Sequence, residues 1–149
     1  MSQHKAFDIL IVEDNPSDAE LTVRSLRKQN LANRIYVAED GAEALDFIFC
    51  KGKFSDRNFQ QPPKVIFLDL KLPKISGLQV LNEVKSNPET KMMPVVIITS
   101  SKEDPDIRTA YNLGANSYIV KPVDFDVFIQ AINHAGLYWL QVNEPPKVQ

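Results

Sequence analysis

Four apolar runs in this chain end in residues equipped for chemistry. Glu13-Asp14 follows the run 7–12, Asp69 lies within the run 65–70, Thr99 closes the run 95–99 with Ser100 behind it, and Lys121-Pro122 follows the run 118–120. Any one of these is ordinary: polar residues often end strands, and Glu39-Asp40 after the run 35–37 reads simply as a turn and a helix cap. Asp69 differs because it sits inside Val-Ile-Phe-Leu-Asp-Leu-Lys-Leu, where an ionised carboxylate is costly unless a cation or strong donors compensate it. Glu13 and Asp14 beside it would add repulsion, raising the carboxylate pKa values unless a positive ion lies among them. Three carboxylates with no suitable His or Cys favour a hard divalent cation. Mg²⁺ fits, since it takes one or two carboxylates and leaves positions for water and phosphate. Lys121 would add a fixed positive charge and Thr99 a neutral hydroxyl donor. A carboxylate facing a metal ion, an ammonium and a hydroxyl has the parts for phosphoryl transfer, with Asp69 as the nucleophile that forms an aspartyl phosphate.

Those residues can meet only if the runs that carry them are neighbours in one sheet. The five runs of strand length alternate with stretches of helical period. The runs are rich in Ile and Val and mostly unbroken, as strands covered on both faces are. Helix starts are signalled by Asn15-Pro16, Asp40-Gly41, Ser76-Gly77, Asp104-Pro105 and Asp124, and Gly114 suits a helix C-cap. The pattern is (βα)5, an α/β doubly wound parallel sheet, in which the loops leaving the carboxyl ends of the strands build the site. Residues 51–64 end in Pro62-Pro63 and read as a long surface loop entering the third strand at its amino end, opposite that site. The tail from Gly136 carries Leu137, Tyr138, Trp139, Leu140 and Val142 before Pro145-Pro146, more apolar surface than a solvated terminus needs, so it is expected to pack on something.

With 149 residues, 44% hydrophobic and 24% charged, the composition is that of an ordinary globular domain rather than a disordered or disulfide-scaffold chain. One domain over residues 1–149 is expected, with a core of about 7–135 and a C-terminal extension, 136–149. A net charge of −2 lacks the basic excess that binding a phosphate backbone demands, so nucleic acid is not an expected partner. Cys50 is the single cysteine, and neither a signal core nor a membrane-length apolar run is present, which suits the cytoplasm. No glycine-rich phosphate loop marks ATP as a direct substrate, and His4 and His134 lack metal-ligand spacing and are read as structural or solvated.

The runs Ile-Leu-Ile-Val-Glu-Asp14, Val-Ile-Phe-Leu-Asp69-Leu-Lys-Leu-Pro73 with Gly77, Val-Val-Ile-Ile-Thr99-Ser100 and Gly114-Ala-Asn-Ser-Tyr-Ile-Val-Lys-Pro122 resemble the receiver domains of two-component response regulators over roughly residues 7–135. The resemblance implies a flavodoxin-like five-stranded sheet in the order 2-1-3-4-5, with Asp69 as phosphoacceptor for a sensor histidine kinase. It implies Mg²⁺ held by Asp14 and Asp69, by Glu13 mostly through water, and by the backbone carbonyl of Lys71. Lys121 would pair with the carboxylate and then with the phosphoryl group, and its bond to Pro122 would be cis. Thr99 and Tyr118 would form the switch pair, the hydroxyl moving to the phosphoryl group and the ring following inward. Lys71 and Ser101 stand where the family tunes hydrolysis, and neither offers a group to orient water, so slow self-dephosphorylation is expected.

The long loop before the third strand and the aromatic extension are similar to the regulators served by cyanobacterial phytochrome kinases. With no second domain expected, output would be by protein contact. A homodimer is expected through the fourth helix, fifth strand and fifth helix, together with Tyr138, Trp139, Leu140 and Val142. Two other classes compete with this reading. A phosphatase of the haloacid-dehalogenase type wants a second acid two residues after its nucleophile, where this chain has Lys71. A pseudo-receiver that only binds partners is disfavoured by the intact set Glu13, Asp14, Asp69, Thr99 and Lys121.

Overall fold

A computed structural model of the chain describes residues 6–146; His4 lies outside them. The elements alternate as β1 (Ile9–Val12), α1 (Pro16–Lys28), β2 (Ile35–Ala38), α2 (Gly41–Ile48), β3 (Val65–Leu68), α3 (Gly77–Ser86), β4 (Val95–Thr99), α4 (Asp104–Leu113), β5 (Ser117–Val120) and α5 (Phe125–Leu137). All strand pairings are parallel, in the order β2-β1-β3-β4-β5. This is the flavodoxin-like doubly wound sheet that the motif pattern implies. Among the described residues, no helix is long and apolar enough to cross a membrane.

The helices begin where their caps dictate. Asn15 Oδ1 accepts from the Asp18 N–H at 3.0 Å, with Pro16 in the first helical position. Asp40 and Asp124 cap α2 and α5 in the same way, and Ser76 forms a reciprocal capping box with Gln79. α4 departs from expectation by one residue: Glu103 is its cap without a side-chain bond, and Asp104 already lies in the first turn.

Strand residues alternate between two cores, as the twofold strand period requires. Leu10, Val12, Ile66, Leu68, Val95 and Ile97 face α2, α3 and α4, while Ile9, Ile11, Val65, Phe67, Val96 and Ile98 face α1 and α5. Each fully buried Leu or Ile contributes on the order of 1.5–3 kcal/mol of hydrophobic stabilisation. Both faces are covered, which is why the strands read as continuous apolar runs.

Two segments are more integrated than the sequence suggests. The loop 51–64 is not a free surface insertion: it folds a short 3-10 turn at Gly52–Phe54, and the buried Phe54 ring packs edge-on against Tyr36 and Phe47. Arg57 locks it down, its guanidinium 3.8 Å from the centre of the Phe47 ring and bonded to the Phe47 carbonyl. After α5 the chain widens into a π-type turn, Tyr138–Val142, that drops Leu140 into the core between α1 and α5 with Trp139 half-buried beside it. Leu140 is therefore not a partner surface, because the protein's own core takes it. Tyr138 and Val142 stay exposed.

Gly77 sets the distance between α3 and β3. Its N–H donates to Leu70 O at 2.9 Å, and a Cβ there would stand 2.2 Å from Asp69 O and 2.5 Å from Leu70 Cα. Gly77→Ala is expected to destabilise the protein by about 1–3 kcal/mol through this backbone clash. Urea unfolding measures it, and an unchanged midpoint would show that α3 can retreat without cost.

Candidate functional site

The register of the sheet assembles the site. Val12 pairs with Leu68, so the chain leaving β1 at Glu13 and the chain leaving β3 at Asp69 emerge side by side, and Asp69 N–H donates to Val12 O at 3.1 Å. The sheet reverses its winding between β1 and β3, the place where open α/β sheets leave a crevice for ligands. On the other side Thr99 pairs with Val120, and Lys121 N–H donates to Thr99 O at 2.7 Å. That register sends the Lys121 side chain back over the ends of β1 and β3.

Its ammonium lies between three carboxylates. Lys121 Nζ donates to Glu13 Oε1 at 2.6 Å, Asp18 Oδ2 at 2.9 Å and Asp69 Oδ2 at 3.0 Å. The second Asp69 oxygen, Oδ1, accepts the backbone N–H of Lys71 at 3.1 Å. Glu13 and Asp69 are only 7% and 6% exposed, whereas Asp14 stands in solvent at the rim. Among the described residues, Glu13, Asp14 and Asp69 form the one group whose potential ligand oxygens all lie within 4.8 Å of one another. An all-oxygen donor set of this charge, half buried and half open to water, fits a hard divalent ion such as Mg²⁺.

The charges are strongly coupled. Burial pushes the Glu13 carboxyl up to about 7, with the charge of Asp69 adding to it, although the Lys121 hydrogen bond pulls the other way. Burial alone would lower Lys121, but the hydrogen bonds to Glu13, Asp18 and Asp69 outweigh it and hold the ammonium above the ordinary lysine range.

Thr99 is fully buried, and its hydroxyl is the acceptor for the Ser101 N–H at 3.5 Å. The Tyr118 ring packs against the core on the α4 side, and its hydroxyl donates to Ser101 O at 2.9 Å. The expected switch residues thus share one partner, the loop leaving β4. The Ser101 hydroxyl points to Asp106 in the first turn of α4 and so is engaged away from Asp69. The Lys71 side chain is exposed, and its contact with Asp69 is through the backbone.

One expectation fails. The Lys121–Pro122 bond is trans, as are all peptide bonds among the described residues. Lys121 reaches all three carboxylates from the trans form, so nothing here overrides the roughly 0.5–1 kcal/mol by which X–Pro bonds prefer it. Two participants went unread in the sequence: Asp18 and Asp106. Each is an acid in the first turn of a helix that follows a site strand, a position explained equally well by the helix dipole. Their place on the carboxyl edge was the available signal.

Fold and site together define a doubly wound α/β protein with an acid–lysine constellation at its switch point. The sequence pattern of the response regulator receiver domain matches residues 9–133, and the chain belongs to that family. It is 32% identical over 133 residues to the response regulator Rcp1 of Synechocystis sp., covering 89% of this chain and 88% of Rcp1. The crystal structure of the Mn²⁺-bound form of Rcp1 superposes with a TM-score of 0.87, over 93% of this chain and 97% of that one. The phosphorylated cyanobacterial phytochrome response regulator RcpA superposes with a TM-score of 0.88 at 32% identity, over 95% and 99% of the two chains. The bacteriophytochrome response regulator AtBRR is 46% identical, with a TM-score of 0.73, over 95% of this chain and 100% of that one.

The raised Glu13 pKa has a measurable consequence. Glu13 takes up a proton on folding between its ordinary value of 4.5 and about 7, so the stability linked to it is fully present below 4.5 and lost as pH rises through about 7. Without divalent ions, the wild type is expected to lose stability relative to Glu13→Gln across that window. Urea titrations of both proteins from pH 4.5 to 8 check this; a constant difference would count against a protonated Glu13.

Proposed function

We propose that this protein is a phosphorelay response regulator of the cytoplasm. It accepts a phosphoryl group on Asp69 from a sensor histidine kinase, a phytochrome-type sensor in particular, and signals by protein contact. The observation that carries this reading is the position of Asp69: a buried carboxylate with one oxygen on Lys121 Nζ and the other on the Lys71 N–H. In the transfer, an O–P bond forms at Asp69 as the N–P bond of the donor phosphohistidine breaks, and the imidazole leaves with the bonding pair. Lys121 neutralises charge on the acceptor side and Thr99 supplies a hydroxyl to the phosphoryl oxygens. Glu13, Asp14 and Asp69 would hold Mg²⁺, with the Lys71 carbonyl as a further oxygen; when bound, it supplies positive charge to the phosphoryl oxygens. The matches to the phosphorylated phytochrome response regulator RcpA and the bacteriophytochrome response regulator AtBRR support the donor class, and the match to the Mn²⁺-bound form of Rcp1 supports the metal.

The protein is not a turnover enzyme in this reading. It holds its phosphoryl group and releases it slowly, because the Ser101 hydroxyl is committed to Asp106 and Lys71 has only an ammonium to offer an attacking water. Thr99 and Tyr118 carry the switch through Ser101 and bias the face made by α4, β5 and α5. That face exposes Val120, Phe125, Val127 and Leu137, with Tyr138 continuing it, and a homodimer forms there.

Incubation with acetyl phosphate and Mg²⁺ is expected to add about 80 Da by intact mass, the mass of one phosphoryl group, and to add nothing in Asp69→Asn or with chelator. Equal labelling of Asp69→Asn would move the acceptor elsewhere. Sedimentation equilibrium at tens of micromolar is expected to show dimer that Val127→Glu weakens; monomer alone, with and without a phosphoryl mimic, would remove the dimer.

A further inference from the structure

The three N–H donors of Lys121 are matched by three carboxylates, but those acids are not equivalent. Glu13 and Asp69 belong to the group of oxygens that fits a divalent cation, and Asp18 does not. Asp18 belongs instead to the first turn of α1, where its backbone is fixed at both polar groups. Its N–H donates to Asn15 Oδ1 at 3.0 Å, and its carbonyl accepts the Thr22 hydroxyl at 2.8 Å. The Asp18 side chain is 32% exposed, against 12% for Lys121, so it reaches the ammonium from the solvent side.

We propose that Asp18 is a positioning residue for Lys121, holding the ammonium over the acceptor while the other two acids change partners. The proposal rests on the reading of Asp69 as phosphoacceptor. A phosphorylated Asp69 no longer carries a carboxylate anion, its charge passing to the phosphoryl oxygens, and a Glu13 drawn toward a cation offers Lys121 less. A lysine ammonium sits on a flexible four-carbon stem with much rotamer freedom, so one left with only shifting partners is a poorly aimed donor. Asp18 is independent of both changes. Its bond fixes one N–H, which leaves the other two directed at the Glu13 and Asp69 sides, where the phosphoryl oxygens arrive. Positioning of this kind acts on the rate of transfer rather than on cation binding.

The test compares wild type, Asp18→Asn, Asp18→Glu and Asp69→Asn as full-length proteins. Phosphorylation by acetyl phosphate is followed over a range of donor concentrations at saturating Mg²⁺, and Mg²⁺ affinity is measured separately by calorimetry. Asp18→Asn is expected to lower the maximal rate about tenfold. Its Mg²⁺ affinity should change by less than about threefold, since a rim charge is screened. Asp18→Glu should recover much of the rate by restoring the carboxylate, and thermal unfolding should stay cooperative in all four. A wild-type rate in Asp18→Asn would overturn the role of Asp18 while leaving Asp69 as acceptor. A loss of Mg²⁺ affinity as large as the loss of rate would overturn it too, by making Asp18 part of the cation site. No labelling of the wild type would overturn the phosphoacceptor reading and this proposal with it.

Discussion

A lysine ammonium that is nearly nine-tenths buried must have full compensation, and the Lys121 ammonium finds it in three carboxylates that the fold brings from three different elements. Neither side of that arrangement is stable alone. Removing a buried charge from water costs several kcal/mol per ion even after relaxation, so Glu13 and Asp69 without the ammonium, or the ammonium without them, would be a defect in the core. The arrangement is nonetheless unbalanced, since Glu13, Asp18, Asp69 and the exposed Asp14 set four carboxylates against one ammonium. That residual negative charge makes the edge of the sheet attractive to a further cation, and the charge of Asp69 adds to the burial that pushes the Glu13 carboxyl upward. Structural compensation and chemical readiness come from one set of atoms.

Much of this was legible because parallel sheets convert sequence into geometry with few free choices. Continuous apolar runs of Ile and Val require cover on both faces, cover on both faces requires alternating helices, and alternating helices put every strand's carboxyl end on one edge. Once Asp69 is seen inside an apolar run, Glu13-Asp14 and Lys121 follow as residues that the same edge must hold. β4 runs over Val95–Thr99 as read, and the caps Asn15, Asp40, Ser76 and Asp124 all act as caps. The strands read too long fail for a local reason. Phe7 belongs to the aromatic cluster with Tyr36 and Phe47 rather than to β1, and the chain after Leu68 bends so that Leu70 can accept from Gly77.

What was not legible depended on the assembled fold rather than on any local pattern. Asp18 looks like any acid in a first helical turn until Lys121 arrives 103 residues later. Arg57 looks like a loop charge until its guanidinium is laid over Phe47, and Leu140 looks like sticky surface until a π-type turn swings it under α5. The trans Lys121–Pro122 bond belongs to the same class. A proline permits cis without requiring it, and only the assembled site decides whether the lysine needs that bend.

The loop leaving β4 joins the chemistry to the outer face with very little material. Thr99 Oγ1 accepts the Ser101 N–H, Ser101 O accepts the Tyr118 hydroxyl, and Ser101 Oγ donates to Asp106 on α4. The weakest of these is the first, at 3.5 Å, and in it Thr99 only accepts, so the bond does not engage the Thr99 O–H. The other two tie the same residue to β5 and to α4. A displacement of Thr99 would thus meet one residue that has two firm connections onward. Ser101 is buried, so it cannot answer by turning into solvent. Bonded to the Tyr118 hydroxyl and to Asp106 in the first turn of α4, it stands between the acid cluster and the exposed apolar face.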